Sequence, residues 1–286
     1  MNKTTLLICL AAAVLNGREV RASGHGPVFG AATPTLGRGG WSVDQAYTFR
    51  GGDDADSQQM FKTMVSFGIT ETVQVSGSVP IAMSDGLLPS RMMSAMSSER
   101  EVEMLLAYRF QRRTIGIGGR QESTLYVGGT LPTESRRAGL PIGPSLVVQA
   151  ATGYASRAHY AWLGGGLQHF VERDGTQHGA SRFATFVYGY RPPPMRVEPG
   201  KPDLRFFVES TVEDRAPTTT QPTSHPTSGV SAPPGSRTAF IGPTSLLVYK
   251  AIAVEGGVLF PVYQGTDQPR ERIRVAVNVA YFFWLK

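Results

Sequence analysis

The last sixteen residues, Glu271–Lys286, read ERIRVAVNVAYFFWLK. Ile273, Val275, Val277, Val279, Tyr281, Phe283 and Leu285 fall on alternate positions, with Arg274, Ala276, Asn278, Ala280, Phe282, Trp284 and Lys286 between them. A β-strand sends successive side chains to opposite faces, so this is an apolar ribbon backed by a mixed one. The ribbon turns aromatic at its end, where Tyr281, Phe282, Phe283 and Trp284 cluster. Such a face meets either a second sheet or, in an outer-membrane barrel, lipid, with aromatics gathered at headgroup level. Taken alone, the stretch fits both.

The same period recurs along the chain. Trp41, Val43, Tyr47 and Phe49 alternate with Ser42, Asp44, Thr48 and Arg50, and Phe61, Val65, Phe67 and Ile69 with Lys62, Ser66 and Thr70. Later segments repeat it: Met104, Leu106, Tyr108 and Phe110 against Glu103, Arg109 and Gln111; Ala184, Phe186, Tyr188 and Tyr190 against Phe183, Thr185 and Val187. In total there are about twelve such segments of roughly 9–14 residues, the length at which a tilted strand crosses the hydrocarbon layer. Connections after odd-numbered segments are long or polar and those after even-numbered ones mostly short turns, with the proline-rich stretch 191–202 the exception. Even strand number, long outer loops and short periplasmic turns are the pattern of a bacterial barrel. The expected fold is therefore all-β, a transmembrane antiparallel up-and-down β-barrel of about twelve strands. A secreted sandwich or propeller explains neither the loop alternation nor the aromatic end.

The N-terminus reads as a secretory signal over 1–22: Lys3, then the apolar run Leu6–Leu15, then Val20-Arg21-Ala22 before the cleavage point. The apolar run is too short for a membrane helix. The single cysteine, Cys9, lies within it, so the exported chain has no thiol for disulfides, thiolate metal sites or nucleophilic catalysis. Residues 23–40, SGHGPVFGAATPTLGRGG, form an irregular glycine-rich segment, a candidate plug, and 41–286 the barrel. Within it, the Thr/Ser/Pro-rich stretch 215–236 buries too little apolar surface to fold and reads as a mobile loop. The formal charge is +6, but part of it belongs to the signal, and the arginines are scattered along strands rather than clustered. A nucleic-acid footprint is a cluster, so no nucleic-acid partner is expected.

Charged residues placed opposite the apolar ribbons are Arg50, Lys62, Arg109, Arg120, Glu122, Arg182, Arg205, Glu209, Glu255 and Arg274. Arg or Lys facing lipid at the midplane costs about 2–4 kcal/mol, so this set is assigned to the lumen, either as a selectivity lining for solute or as ion pairs filling the bore. His159 and His169 share a parity, but ten residues of strand separate them by roughly 33 Å, too far for one ion. No metal and no cofactor is expected. A barrel hydrolase needs a base within reach of a hydroxyl, and no His-x-Ser occurs.

The stretch GPVFGAATPTLGRGGWSVD, Gly26–Asp44, resembles the N-terminal signature of bacterial outer-membrane transporter-like proteins labelled as MetA-pathway phenol-degradation barrels, and YFFWL at 281–285 is similar to a closing strand, though Leu285 and Lys286 follow the final aromatic. The resemblance implies passage of small solutes, hydrophobic or aromatic ones among them. The expected protein is a non-enzymatic channel or passive transporter in the outer membrane of a Gram-negative cell, in contact with lipid, solute and, during insertion, the barrel-assembly machinery. The alternatives are a plugged structural or adhesion barrel whose loops bind a partner, and a barrel hydrolase.

Overall fold

The computed structural model describes residues 26–52, 57–83, 101–133, 136, 142–195, 201–220, 235–265 and 270–284. The signal segment 1–22, most of the methionine-bearing loop 85–101 and most of the Thr/Ser/Pro stretch lie outside them.

The chain is a closed antiparallel barrel of twelve strands. In order they are β1 (Gly40–Gly52), β2 (Gln58–Gly68), β3 (Val73–Ala82), β4 (Val102–Ile115), β5 (Gly119–Leu131), β6 (Ser145–Ala155), β7 (His159–Phe170), β9 (Ser181–Tyr190), β10 (Asp203–Arg215), β12 (Ser236–Tyr249), β13 (Ile252–Gln264) and β14 (Glu271–Trp284). Two two-residue strands, β8 (Thr176–Gln177) and β11 (Thr219–Thr220), pair with each other outside the wall. The start of the stretch expected to be a mobile loop is thus corrected: Arg215 still belongs to β10, and Thr219 and Thr220 pair with Gln177 and Thr176 through backbone bonds that do not depend on apolar burial.

Each wall strand pairs with its neighbours in sequence, and β1 closes on β14 from Gly40↔Trp284 to Gly51↔Ile273. Closure leaves no open edge, the condition for strands in a medium that cannot hydrogen-bond to them. The connections sort by end. The turns β2–β3, β4–β5, β6–β7 and β12–β13 lie at one end with the start of β1 and the finish of β14, while the β1–β2, β3–β4, β5–β6 and β10–β12 loops lie at the other. The β9–β10 connection, with a 3-10 turn at Pro193–Met195, is the long one at the short-turn end.

Outward positions are apolar and exposed, among them Ile81, Leu163, Phe186, Val208 and Phe260. A band of this kind around the whole wall far exceeds what a water-facing surface carries, and it matches lipid. At the short-turn end the outer face is aromatic: Trp41 lies 4.6 Å from Phe67 and 6.4 Å from Phe283, and Tyr281 lies 5.7 Å from Phe283 between ring centroids. The aromatic end of the last strand therefore forms part of an interfacial girdle.

The bore and its candidate functional site

Inward positions alternate with the apolar ones and carry the charge, in three tiers. Near the long-loop end, Arg274 is almost wholly buried. It donates to Glu213 at 2.6 Å and to Glu271 at 2.7 Å. Arg50 donates to the same Glu271 at 2.9 and 2.6 Å. Lys62 reaches Glu103 at 3.5 Å. Buried charges are tolerated when paired and hydrogen-bonded, and this tier is.

At mid-depth the inward groups are carboxylates. Asn278 Nδ2 donates to Asp44 at 3.3 Å and to Glu255 at 3.0 Å, joining β1, β14 and β13, and Ser42 donates to Asp44 at 3.0 Å. Among the described residues, Glu255 Oε2 has no hydrogen-bond partner. Glu209 accepts from Thr244 at 2.6 Å and from the backbone N–H groups of Val28 at 2.7 Å and Phe29 at 2.8 Å, with that of Gly30 also turned to it.

At the short-turn end arginines are in excess. Arg109 donates to Glu122 at 3.1 Å, and Arg120 lies 3.5 Å from that carboxylate. Arg191 and Arg205 share Asp203, and both guanidiniums lie over the ring of Tyr160, at 5.3 and 4.9 Å. Tyr160 in turn stacks on Trp162 at 5.6 Å, with Phe207 edge-on to both.

Residues 26–39 run inside this wall. Gly39, at a φ of 74°, reverses the chain from the bore into β1, a conformation open to glycine, and the Gly40 N–H closes the turn on the Gly37 carbonyl at 2.9 Å. Inward from there, Leu36 N–H donates to Gln74 at 2.8 Å and Thr35 to the Glu71 carbonyl at 2.9 Å. Thr124 and Tyr126 donate to the carbonyls of Thr33 and Ala32. Gly153 is required here, because a Cβ on it would stand 2.2 Å from Trp162 and 2.9 Å from Thr33. Ala31 packs between Ala151 and Phe183, and the tip, Val28 and Phe29, sits with Ala46, Phe240, Leu259 and Ala276 at 0% exposure for both tip residues.

Of the ten charged residues assigned to the lumen, Arg50, Lys62, Arg109, Arg120, Glu122, Arg205, Glu209, Glu255 and Arg274 take inward parity, with Arg120 half-exposed at its strand end. Arg182 is corrected: it is exposed and shares the outward face of Ala184, Phe186 and Tyr188. Phe183, Thr185 and Val187 fill the inner face of β9, and Arg182 is the second residue of that strand, at its long-loop end. Sequence reasoning missed Asp44, Asp203, Glu213, Glu271, Asn278 and Thr244 as partners, although Asp44 and Glu213 carry the inward parity that would have found them. His159 and His169 are both exposed on the outer face, and His159 Nδ1 lies 2.8 Å from the Tyr188 hydroxyl. Among the described residues, no three His, Cys, Asp or Glu side chains group as metal ligands.

No protein-family profile matches the chain, and no curated relative matches it. Among solved structures it is similar to the COG4313 outer membrane channel from Pseudomonas putida F1, at 12% identity and a TM-score of 0.59, over 88% of this chain and 98% of that one. It is also similar to the NanC porin (7% identity, TM-score 0.48, 84% and 98% covered) and the KdgM porin (11%, 0.43, 84% and 98%). At this identity the first likeness speaks to the fold, a twelve-stranded barrel of the outer-membrane type.

Proposed function

We propose that the protein is an outer-membrane channel for passive passage of small solutes, hydrophobic or aromatic ones among them, exported by the signal over 1–22, inserted by the barrel-assembly machinery and seated in lipid. One observation carries this reading: an apolar, aromatic-girdled outside encloses an inside that bears paired charges in tiers. A barrel serving only as an anchor needs no such lining. On this reading Arg50, Lys62, Arg109, Arg120, Glu122, Arg205, Glu209, Glu255 and Arg274 set solute preference, and no chemistry is performed. The resemblance of Gly26–Asp44 to the phenol-degradation barrels supports the same solute class.

Residues 26–38 are a plug in this proposal, held by hydrogen bonds to β3, β5 and β10. That same bonding favours one alternative, a permanently closed barrel whose loops bind a partner. Conductance in planar bilayers separates the two. The channel reading expects low conductance in the native chain that rises several-fold in Glu209→Gln, together with aromatic-solute uptake by proteoliposomes. Absence of conductance in both forms and of uptake would leave the closed barrel standing.

A further inference from the structure

The tip of the N-terminal segment shows what its seat accepts. Glu209 is 1% exposed, and both of its oxygens are used: Oε1 takes Val28 N–H and the Thr244 hydroxyl, Oε2 takes Phe29 N–H. Around it, Ala46, Phe240, Leu259 and Ala276 enclose the Val28 and Phe29 side chains. The occupant is thus an aromatic and aliphatic body beside a run of N–H donors. Nothing in that description is peculiar to a polypeptide. The segment belongs to no strand and is tied in by isolated bonds, so withdrawing its tip breaks no strand pairing of the wall. Withdrawn, it would leave a carboxylate with Thr244 as its remaining described donor in an apolar recess, a costly state that calls for a substitute.

The surrounding charge says which substitute. Asp44 and Glu209 both act electrostatically on Glu255, whose Oε2 has no hydrogen-bond partner among the described residues. Arg274 lies 3.7 Å over the Phe240 ring, but Glu213 and Glu271 bind its charge. A cation with N–H donors therefore suits the seat better than a neutral or anionic group, because charge-assisted hydrogen bonds are the stronger kind. We infer that the Glu209 seat is a binding site for aromatic primary amines, occupied at rest by Val28 and Phe29, so that amine and segment tip exclude one another. The inference rests on the plugged-channel reading and adds the ligand that opens it.

The test places one thiol in the segment. Ala31→Cys in a Cys9→Ser background puts it between Ala151 and Phe183, where a maleimide cannot reach until the segment moves. Benzylammonium should accelerate labelling saturably, by about tenfold. Benzyl alcohol should do less, and benzyltrimethylammonium, which has charge but no N–H, and benzoate should do little. Glu209→Gln, checked for folding by its mobility shift on boiling, should label faster at rest and lose the amine response. Equal acceleration by all four solutes, or an intact amine response in Glu209→Gln, overturns the site. Calorimetry supplies a second arm: Phe29→Ala, which weakens the competitor, should bind benzylammonium more tightly than the native chain, and unchanged affinity counts against the site. Fast labelling of the native segment without amine sinks the plug alone. The site is then decided by whether Glu209→Gln loses calorimetric affinity, and retention of affinity overturns it.

Discussion

Near the long-loop end of the bore, Glu271 lies between Arg50 and Arg274. At mid-depth, Glu209 lies against Val28 and Phe29. Both carboxylates are buried and both are hydrogen-bonded, yet the first is answered by side chains rooted in wall strands and the second by one wall side chain, Thr244, and otherwise by the backbone of a segment in no strand. An answer rooted in the wall is lost only when the wall unfolds. An answer brought by a separable segment is lost when the segment leaves. On the channel proposal, the difference separates charge that holds the barrel together from charge that a moving segment would free for a solute.

The largest expected effect lies in the outer tier. Arg274→Met keeps apolar bulk over Phe240 but removes the guanidinium that Glu213 and Glu271 share, and removing one partner of a buried pair costs about 3–5 kcal/mol. Urea unfolding in micelles should show that loss, while labelling of a thiol at position 31 stays at its native rate. A stable Arg274→Met barrel would mean that this tier is hydrated rather than structural. Gly153→Ala should act at the other region. Its methyl would collide with Trp162 and Thr33, at a cost of about 1–3 kcal/mol, and the segment should yield before the wall does, with faster labelling as the sign. Unaltered labelling would mean that Trp162 swings aside instead. Thr244→Val removes one hydrogen bond to Glu209 and should weaken the seat by about 1 kcal/mol, visible as a few-fold rise in conductance with little change in unfolding.

The smallest effect is expected at Arg182→Leu, within about 0.5 kcal/mol of the native stability and with unaltered ion selectivity, measured as the reversal potential in a salt gradient. Arg205→Leu, over Tyr160 in the bore, should shift that potential toward cations. A selectivity change at Arg182 as large as that at Arg205 would put its side chain in the bore after all.

The wall was legible because lipid imposes a rule on every strand. Ile81, Val79 and Phe260 must be apolar wherever they fall, so period two runs the length of the chain and even the sorting of long and short connections survives into the sequence. Arg182 was legible too: it has the parity of Ala184, Phe186 and Tyr188, so the alternation itself puts it on the outer face, and only its charge argued for the bore. The seat of residues 26–38 was not legible. Its bonds to Glu209 come from backbone N–H groups, which every residue but proline has, across 181 and 180 positions of sequence. The Asp44–Asn278–Glu255 bridge likewise needs the register of β1, β14 and β13, and Asn278 is legible only as one inward residue among many.

Trp284 holds more than the end of β14. Its indole N–H donates to the Arg38 carbonyl at 3.0 Å, 246 positions away, at the bend where the N-terminal segment turns into the bore. One side chain therefore ties the seam of the barrel to the root of the segment inside it. During synthesis that side chain is made long after the segment it fastens. The segment must wait through the making of the whole wall, and the stroke that seals the cylinder is also the one that pins it in place. The contact can form only once β14 is in place. A chain sealed with the segment outside would have to reopen its β1–β14 seam or thread it back through the short-turn end.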